Sequence, residues 1–316
     1  MTTLGFLYHE DYLKHDTGTV HPEKPDRLRA IVHHLESTPL WNELHHLRPQ
    51  QADVKWIESV HPASHIEMIQ EQCALGSEYL DEGDTRVCRA SYDVALLAAG
   101  GVLLAVDRVL SSGADSLDSV FCALRPPGHH AETIRVMGFC LFNNVAIGAR
   151  YAQRMYGVDR IAIVDWDVHH GNGTQEIFYS DPSVLYISLH QYPWYPGTGA
   201  ASEIGQGKGK GFTLNCPMRA GAGALEYMEA FENKIIPALR TFEPQLIFIS
   251  AGFDAHRDDP LANINLGTDS FAVFTQYLRE VADKFSNGKI VSVLEGGYHV
   301  RALAESVEAH LHALGE

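Results

Sequence analysis

The sequence predicts a three-layer α/β fold, a mostly parallel sheet flanked by helices. Three observations predict it. The strand candidates, such as "RIAIVDWD" and "QLIFISAGF", are near-continuous Val/Ile/Leu/Phe runs rather than alternations, as in strands covered on both faces. Helical patterns fall between several of these runs, and strand–helix–strand order gives parallel pairing with right-handed crossovers. No internal repeat, low-complexity tract or linker divides the chain, so residues 1–316 read as one domain.

In chain order, the strand candidates are 3–9, 119–125, 160–167, 184–190, 211–217, 245–253 and 289–297. The helical stretches are 25–36, 62–75, 90–111, 143–156, 222–240, 268–285 and 300–314. The pair Thr268-Asp269 is a reasonable N-cap for the sixth of these. The Gly/Lys-rich "GQGKGKG" at 205–211 reads as a hairpin or loop.

Composition narrows the function classes. Hydrophobic residues make up 45% and charged residues 20%, the ordinary range of a soluble globular protein. Lys and Arg total 24 against 40 Asp and Glu, a formal net charge of −16. That argues against a nucleic-acid partner bound by phosphate neutralisation. The cysteines, Cys73, Cys88, Cys122, Cys140 and Cys216, are dispersed and form no CxxC pair. Neither a disulfide framework nor a thiolate zinc site is expected, and a reducing compartment is. "MTTLGFLYHEDYLKH" has no basic region followed by an apolar run. The longest apolar stretch, 95–106, is too short to span a bilayer. A cytoplasmic protein with no membrane partner is the expectation.

The strands end in chemically active residues. The run at 119–125 leads into Pro126-Pro127-Gly128-His129-His130, and that at 160–167 into Asp165-Trp166-Asp167-Val168-His169-His170. The others lead into Leu189-His190, Asp254 and Tyr298. Taken alone, "LRPPGHH" reads as a surface loop, since Pro-Pro-Gly can be neither helix nor central strand. Open α/β sheets, however, bind ligands outside the carboxyl ends of their strands.

"DWDVH" is the sharpest element. Asp165, Asp167 and His169 recur at period two and would share one face of an extended chain. The plain alternative is an ion-paired strand end with a histidine cap. Two buried, unpaired carboxylates would repel, and a divalent cation relieves that. Asp-x-His places two zinc ligands on one metal, with Asp254 the best third ligand. Such a set leaves a position open for water and substrate, as catalytic rather than structural zinc sites do. His170-Gly171-Asn172-Gly173 reads as a tight turn.

"RPPGHHA", "DWDVHHGNGTQ", "LHQYPWYPGTG", "AGFDAHRDDPL" and "LEGGY", together with "HPEKPDRLRAI" at 21–31, resemble the histone deacetylase family. The likeness is strongest to the class II branch and its bacterial relatives, which include the acetylpolyamine amidohydrolases. It runs in order from about residue 21 to 298. It implies an arginase–deacetylase type of fold and zinc-dependent hydrolysis of an N-acetyl amide. The most direct substrate is an acyl-lysine side chain, giving acetate and a free amine.

By this resemblance Asp167, His169 and Asp254 hold zinc. His130 is the general base and acid, His129 acts electrostatically, and Asp165 bonds His129. Asn172 stands beside His130, where class I members have Asp, and Tyr298 stabilises the transition state. Gly138, Phe139, Trp194 and Tyr195 match the walls of the acyl-lysine tunnel, and His21 and Asp84 fall on the substrate side. Leu261 matches a gatekeeper position and lacks the charge that accompanies acetylpolyamine preference. The resemblance also implies potassium or sodium at an inner site (Asp165, Asp167, His169, Ser188, Leu189) and an outer one (Phe178, Asp181, Val184, Phe212). The alternatives are an acetylpolyamine or other small-molecule amidohydrolase, an arginase-like ureohydrolase and a non-catalytic metal-binding scaffold. The ureohydrolase would need an Asp where Gly171 stands.

Overall fold

A computed structural model describes residues 3–81 and 83–316. Its strands form one parallel sheet: β1 Leu4–Leu7, β2 His45–Leu47, β3 Ser119–Cys122, β4 Ile161–Asp165, β5 Val184–Gln191, β6 Thr213–Met218, β7 Leu246–Ala251 and β8 Ile290–Leu294. The sheet order is β2-β1-β3-β8-β7-β4-β5-β6, and every neighbouring pair is parallel. The seven strands expected from their apolar runs are present, most of them shorter than expected. Every residue of β4, β7 and β8 is buried, which is why these runs do not alternate. The eighth strand, β2, has no sequence signal. It is a three-residue edge strand, His-His-Leu, largely in solvent.

The helices are α1 Asp26–Glu36, α2 Val54–Ile57, α3 Ala63–Leu75, α4 Ser91–Leu110, α5 Asn144–Tyr156, α6 Asn172–Phe178, α7 Ala224–Ala230, α8 Ile236–Phe242, α9 Thr268–Phe285 and α10 Val300–Gly315. They form two main groups against the sheet, α4 with α5 and α1 with α9 and α10. Local chemistry sets several ends. The Asn143 side chain caps α5 by accepting from the Ala146 N–H, and Gly157 closes it in the left-handed region. None of the described helices is long and apolar enough to cross a membrane.

Three expectations need correction. Thr268 is the first residue of α9 and Gly267 occupies the cap, so Thr268-Asp269 lies inside the helix. The stretch 222–240 is not one helix, because a π-helical turn at Phe231–Ile235 separates α7 from α8. The turn expected at 170–173 instead passes into α6 at Asn172, its glycines leaving room for the close approach of other chain segments.

A buried ion cluster ties the segments behind the site. Glu23, Arg27 and Arg125 have no solvent exposure. Glu23 accepts from Arg125 Nη2 at 2.7 Å and from Arg27 Nη1 at 3.1 Å. Arg27 reaches on to the carbonyls of Glu295 and Gly297, beyond β8. Arg125, beyond β3, donates to the carbonyls of Tyr12 and His15. Burial alone would raise the pKa of Glu23, but the two guanidiniums override it and hold it at about 2. A depressed folded pKa stabilises above the unfolded value near 4.5, and the contribution is lost as pH falls toward 2. Glu23→Ala leaves two buried cations without their partner and is expected to cost about 3–5 kcal/mol in urea unfolding at pH 7. A loss below about 1 kcal/mol would contradict this role.

Candidate active site

β3, β8, β7, β4 and β5 are consecutive in the sheet. The five chemically active strand endings are therefore five neighbours at one edge, and the segments that follow them meet there. Asp167 and His169 leave β4, Asp254 follows β7, His129 and His130 follow β3, and Tyr298 follows β8.

His169 Nδ1 lies 3.1 Å from Asp167 Oδ1 and 3.1 Å from Asp254 Oδ2, and one donor atom from each residue falls within 4.8 Å of the others. All three residues are buried. Backbone N–H groups fix the carboxylates. Asp254 Oδ1 accepts from Val168 at 2.9 Å, Asp167 Oδ1 from His169 at 3.0 Å and Asp167 Oδ2 from Gly296 at 2.7 Å. A Cβ at Gly252 or Gly296 would strike these same carboxylates, so the glycines keep the space open. Burial and the Asp167 charge push Asp254 up to about 7. His169, against the effect of burial, is held up to about 10 by the two carboxylates. Two acidic oxygens and an imidazole, buried and convergent, fit a zinc ion.

Asp165 departs from the simple period-two picture. Only Asp165 lies in β4, and its carboxylate turns away from the trio. It accepts from His129 Nδ1 at 3.0 Å, from the Tyr186 hydroxyl at 3.0 Å and from the Asp167 N–H at 3.1 Å. Burial opposes charge on His129, but Asp165, Asp167 and Glu295 raise its pKa to about 10.

His130 is arranged differently. Its Nδ1 is 2.8 Å from Asn172 Oδ1. The orientation of that amide follows from Glu132, whose Oε1 accepts from Asn172 Nδ2 at 2.7 Å. With the amide nitrogen held by a carboxylate, Asn172 presents its oxygen to His130. Nδ1 must then carry the proton, leaving a lone pair on Nε2. Burial, with His129 and His169 nearby, pushes the pKa of His130 well below its usual value.

A cavity of about 240 Å³ opens onto these groups. Asp84, Gly138, Phe139, Trp194, Tyr195, Leu261 and Tyr298 line it with His130 and His169. His21 is not in the lining. It stands behind Phe139, with ring centroids 4.7 Å apart, and its nitrogens face the carbonyls of Glu23 and Asp84. Gly138 and Phe139 both have positive φ, 56° and 70°. A Cβ at Gly138 would collide with the His130 ring, whereas Phe139 tolerates an unfavourable conformation that turns its ring to the cavity. The Asp84 carboxylate accepts from the Gly138 N–H at 3.1 Å and fixes this bend.

The residues matched to cation sites also fall together. Asp165 and Ser188 are register partners on β4 and β5, with Asp167, His169 and Leu189 just beyond. Phe178 and Asp181 form the turn that leads into β5 at Val184, and the Phe212 carbonyl accepts from the Tyr186 N–H at 2.9 Å. The Asp181 carboxylate is bound by Arg150 at 2.7 Å.

Three site residues were missed in the sequence. Glu132 orients Asn172. Glu295 Oε2 accepts from the N–H groups of Gly128 at 2.8 Å and His129 at 3.2 Å, fixing the loop that carries both histidines. Burial raises the pKa of Glu295 to about 7. Asp259 Oδ2 accepts from the Tyr298 and His299 N–H groups at 2.6 and 3.2 Å, and its Oδ1 from Leu261 at 3.0 Å. It thereby joins the cavity wall to Tyr298. For Glu295 the available signal was a carboxylate closing an apolar run.

The family model for the histone deacetylase domain matches residues 21–314. The chain belongs to the histone deacetylase family. Among its relatives, a probable deacetylase of Archaeoglobus fulgidus is 40% identical over 94% of this chain and 81% of its own. The histone deacetylase-like amidohydrolase of Pseudomonas aeruginosa is 40% identical over 88% and 72%. The crystal structure of the HDA15 HD domain superposes with a TM-score of 0.94 at 36% identity, covering 99% of this chain and 90% of that one. The sheet is thus that of the arginase–deacetylase fold.

An Asn at 259 cannot accept from all three N–H groups that Asp259 holds. Asp259→Asn is therefore expected to speed hydrogen exchange at Tyr298, His299 or Leu261 about tenfold, leaving β8 amides unchanged. Unchanged exchange at all three would contradict the clasp.

Proposed function

We propose that this histone deacetylase family member is a zinc-dependent deacetylase of acyl-lysine side chains, releasing acetate and a free amine. The observation that carries it is the His130 Nδ1–Asn172 Oδ1 hydrogen bond beside the Asp167–His169–Asp254 trio, from which the His130 tautomer follows. Asn172, oriented by Glu132, leaves His130 Nε2 unprotonated at the inner end of the cavity.

Asp167, His169 and Asp254 would hold a zinc ion, which would supply a Lewis acid for the amide carbonyl and lower the pKa of a water molecule there. His130 takes the water's proton on Nε2 and later delivers a proton to the departing amine. His129, hydrogen-bonded to Asp165, contributes electrostatic stabilisation and is not required to exchange its proton. The Tyr298 hydroxyl donates to the carbonyl oxygen as negative charge develops on it. Phe139 and Tyr195 guide an extended methylene chain, and Trp194 and Leu261 close the wall through a hydrogen bond from Trp194 Nε1 to the Leu261 carbonyl at 3.0 Å. Leu261 brings no charge to meet a polyamine, which favours acyl-lysine over acetylpolyamines. Potassium or sodium at the two sets of residues matched to cation sites belongs to the same proposal.

The test is turnover of an acetyl-lysine peptide by the zinc-loaded protein. His130→Ala is expected to lower kcat by about 10²–10⁴. Tyr298→Phe is expected to lower it by about 10²–10³ with little change in KM. Absence of turnover in the zinc-loaded wild type, or full activity in His130→Ala, would overturn the proposal.

A further inference from the structure

The tunnel wall that carries Trp194 and Tyr195 belongs to the loop between β5 and β6. The two side chains are 39% and 38% exposed, so core packing alone does not place them. The Gly197 N–H bonds the Trp194 carbonyl at 2.7 Å and closes residues 194–197 into one turn. Beyond it, Gly197 and Gly199 flank Thr198 with φ of 93° and 90°. Two glycines in the left-handed region make a loose joint, and the stance of the turn then depends on what holds Thr198 and Gly199.

A brace of hydrogen bonds that the chemistry above does not use holds them. Glu203 begins it. Its Oε1 accepts from the Ala200 N–H at 3.1 Å, and its Oε2 from the Gly199 N–H at 3.1 Å and from Gln175 Nε2 at 2.6 Å. With its nitrogen held by a carboxylate, the Gln175 amide presents its oxygen to the other side. There it accepts from Asn215 Nδ2 at 2.7 Å and lies 3.0 Å from His170 Nε2. His170 Nε2 must then carry the proton, and Nδ1 keeps a lone pair. That lone pair accepts from the Thr198 hydroxyl at 2.8 Å. Gly199 is pressed against the same groups. Its carbonyl accepts from His190 Nε2 at 2.9 Å, and a Cβ there would strike both His170 and His190.

Glu203 thus acts on the loop twice, on its backbone directly and on Thr198 through Gln175 and His170. We propose that Glu203, Gln175, His170 and Thr198 are positioning residues for the tunnel. Together they set where Tyr195 stands, and so how closely the wall fits the methylene chain of an acyl-lysine. None of the four is a lining residue of the tunnel. They act through the turn at 194–197 and touch neither the reacting atoms nor the substrate. This inference rests on the acyl-lysine reading given above.

The test uses the zinc-loaded full chain, an acetyl-lysine peptide, and hydrogen exchange at the Gly197 amide without substrate. Thr198→Val keeps the shape of the side chain and removes its hydroxyl at an exposed position. Gln175→Met removes the amide on α6, away from the wall. Each is expected to raise KM about tenfold, the effect of about one lost hydrogen bond, with kcat within about twofold of wild type and zinc content unchanged. Each is also expected to speed Gly197 exchange about tenfold and to leave the β4 and β7 amides as they are. Thr198→Ser, which keeps the hydroxyl, is expected to match wild type in both readouts. The double variant is expected to go no further than the larger single effect, because both changes break one brace. Unchanged Gly197 exchange in both single variants would overturn the brace, as would effects that multiply in the double variant. Faster exchange with unchanged KM would overturn its part in substrate fit. No turnover by the zinc-loaded wild type would overturn the acyl-lysine reading and that part with it, while the exchange rates still decide the brace.

Discussion

Two carboxylates and an imidazole are held within contact distance of one another at the buried inner end of the tunnel. Asp167 and Asp254 follow separate strands, and each is fixed by backbone N–H groups as well as by the His169 imidazole. Asp165 and Glu295 add two more buried carboxylates close by. Such a concentration of negative charge in a dry interior is unfavourable unless cations offset it. The imidazoles of His129 and His169, whose pKa values the neighbouring carboxylates raise, do part of this. A divalent ion does it more completely and gives the arrangement a chemical purpose.

The surrounding structure follows from the need to bring those groups together. Parallel strands place all their carboxyl ends on one edge, so five consecutive strands deliver five short segments to one spot. Those segments are then immobilised by carboxylates that act on backbone. Glu295 holds the histidine loop, Asp259 holds the tyrosine loop, and Asp84 holds the bend at Gly138–Phe139. Behind them, the Glu23–Arg27–Arg125 cluster locks the exits of β3 and β8 to the N-terminal segment. Rigid positioning of this kind is what a multi-residue site requires.

Much of this was legible in the sequence, for physical reasons. Strands buried on both faces have to be largely apolar, so β3, β4, β5, β7 and β8 could be found from their composition, and the polar residues that end them were conspicuous. β2 was hidden because an exposed edge strand of three residues needs no apolar run. α6 was hidden because glycines demanded by close approach to His129 and Ala131 look like turn residues. The trio of Asp167, His169 and Asp254 followed from spacing and charge. Glu132, Glu295 and Asp259 did not, because their partners are amide groups far away in the chain. A carboxylate that orients a side-chain amide or clasps a loop leaves no local pattern.

The central claim is that one zinc ion resolves the buried charge at the end of β4 and β7. Diffraction at the zinc absorption edge, from crystals of protein stripped of metal and reloaded with one equivalent of zinc, tests it most directly. The account predicts a single anomalous peak per chain, between the Asp167 and Asp254 carboxylates and His169 Nδ1. No peak there, or zinc held only by other residues, would contradict it.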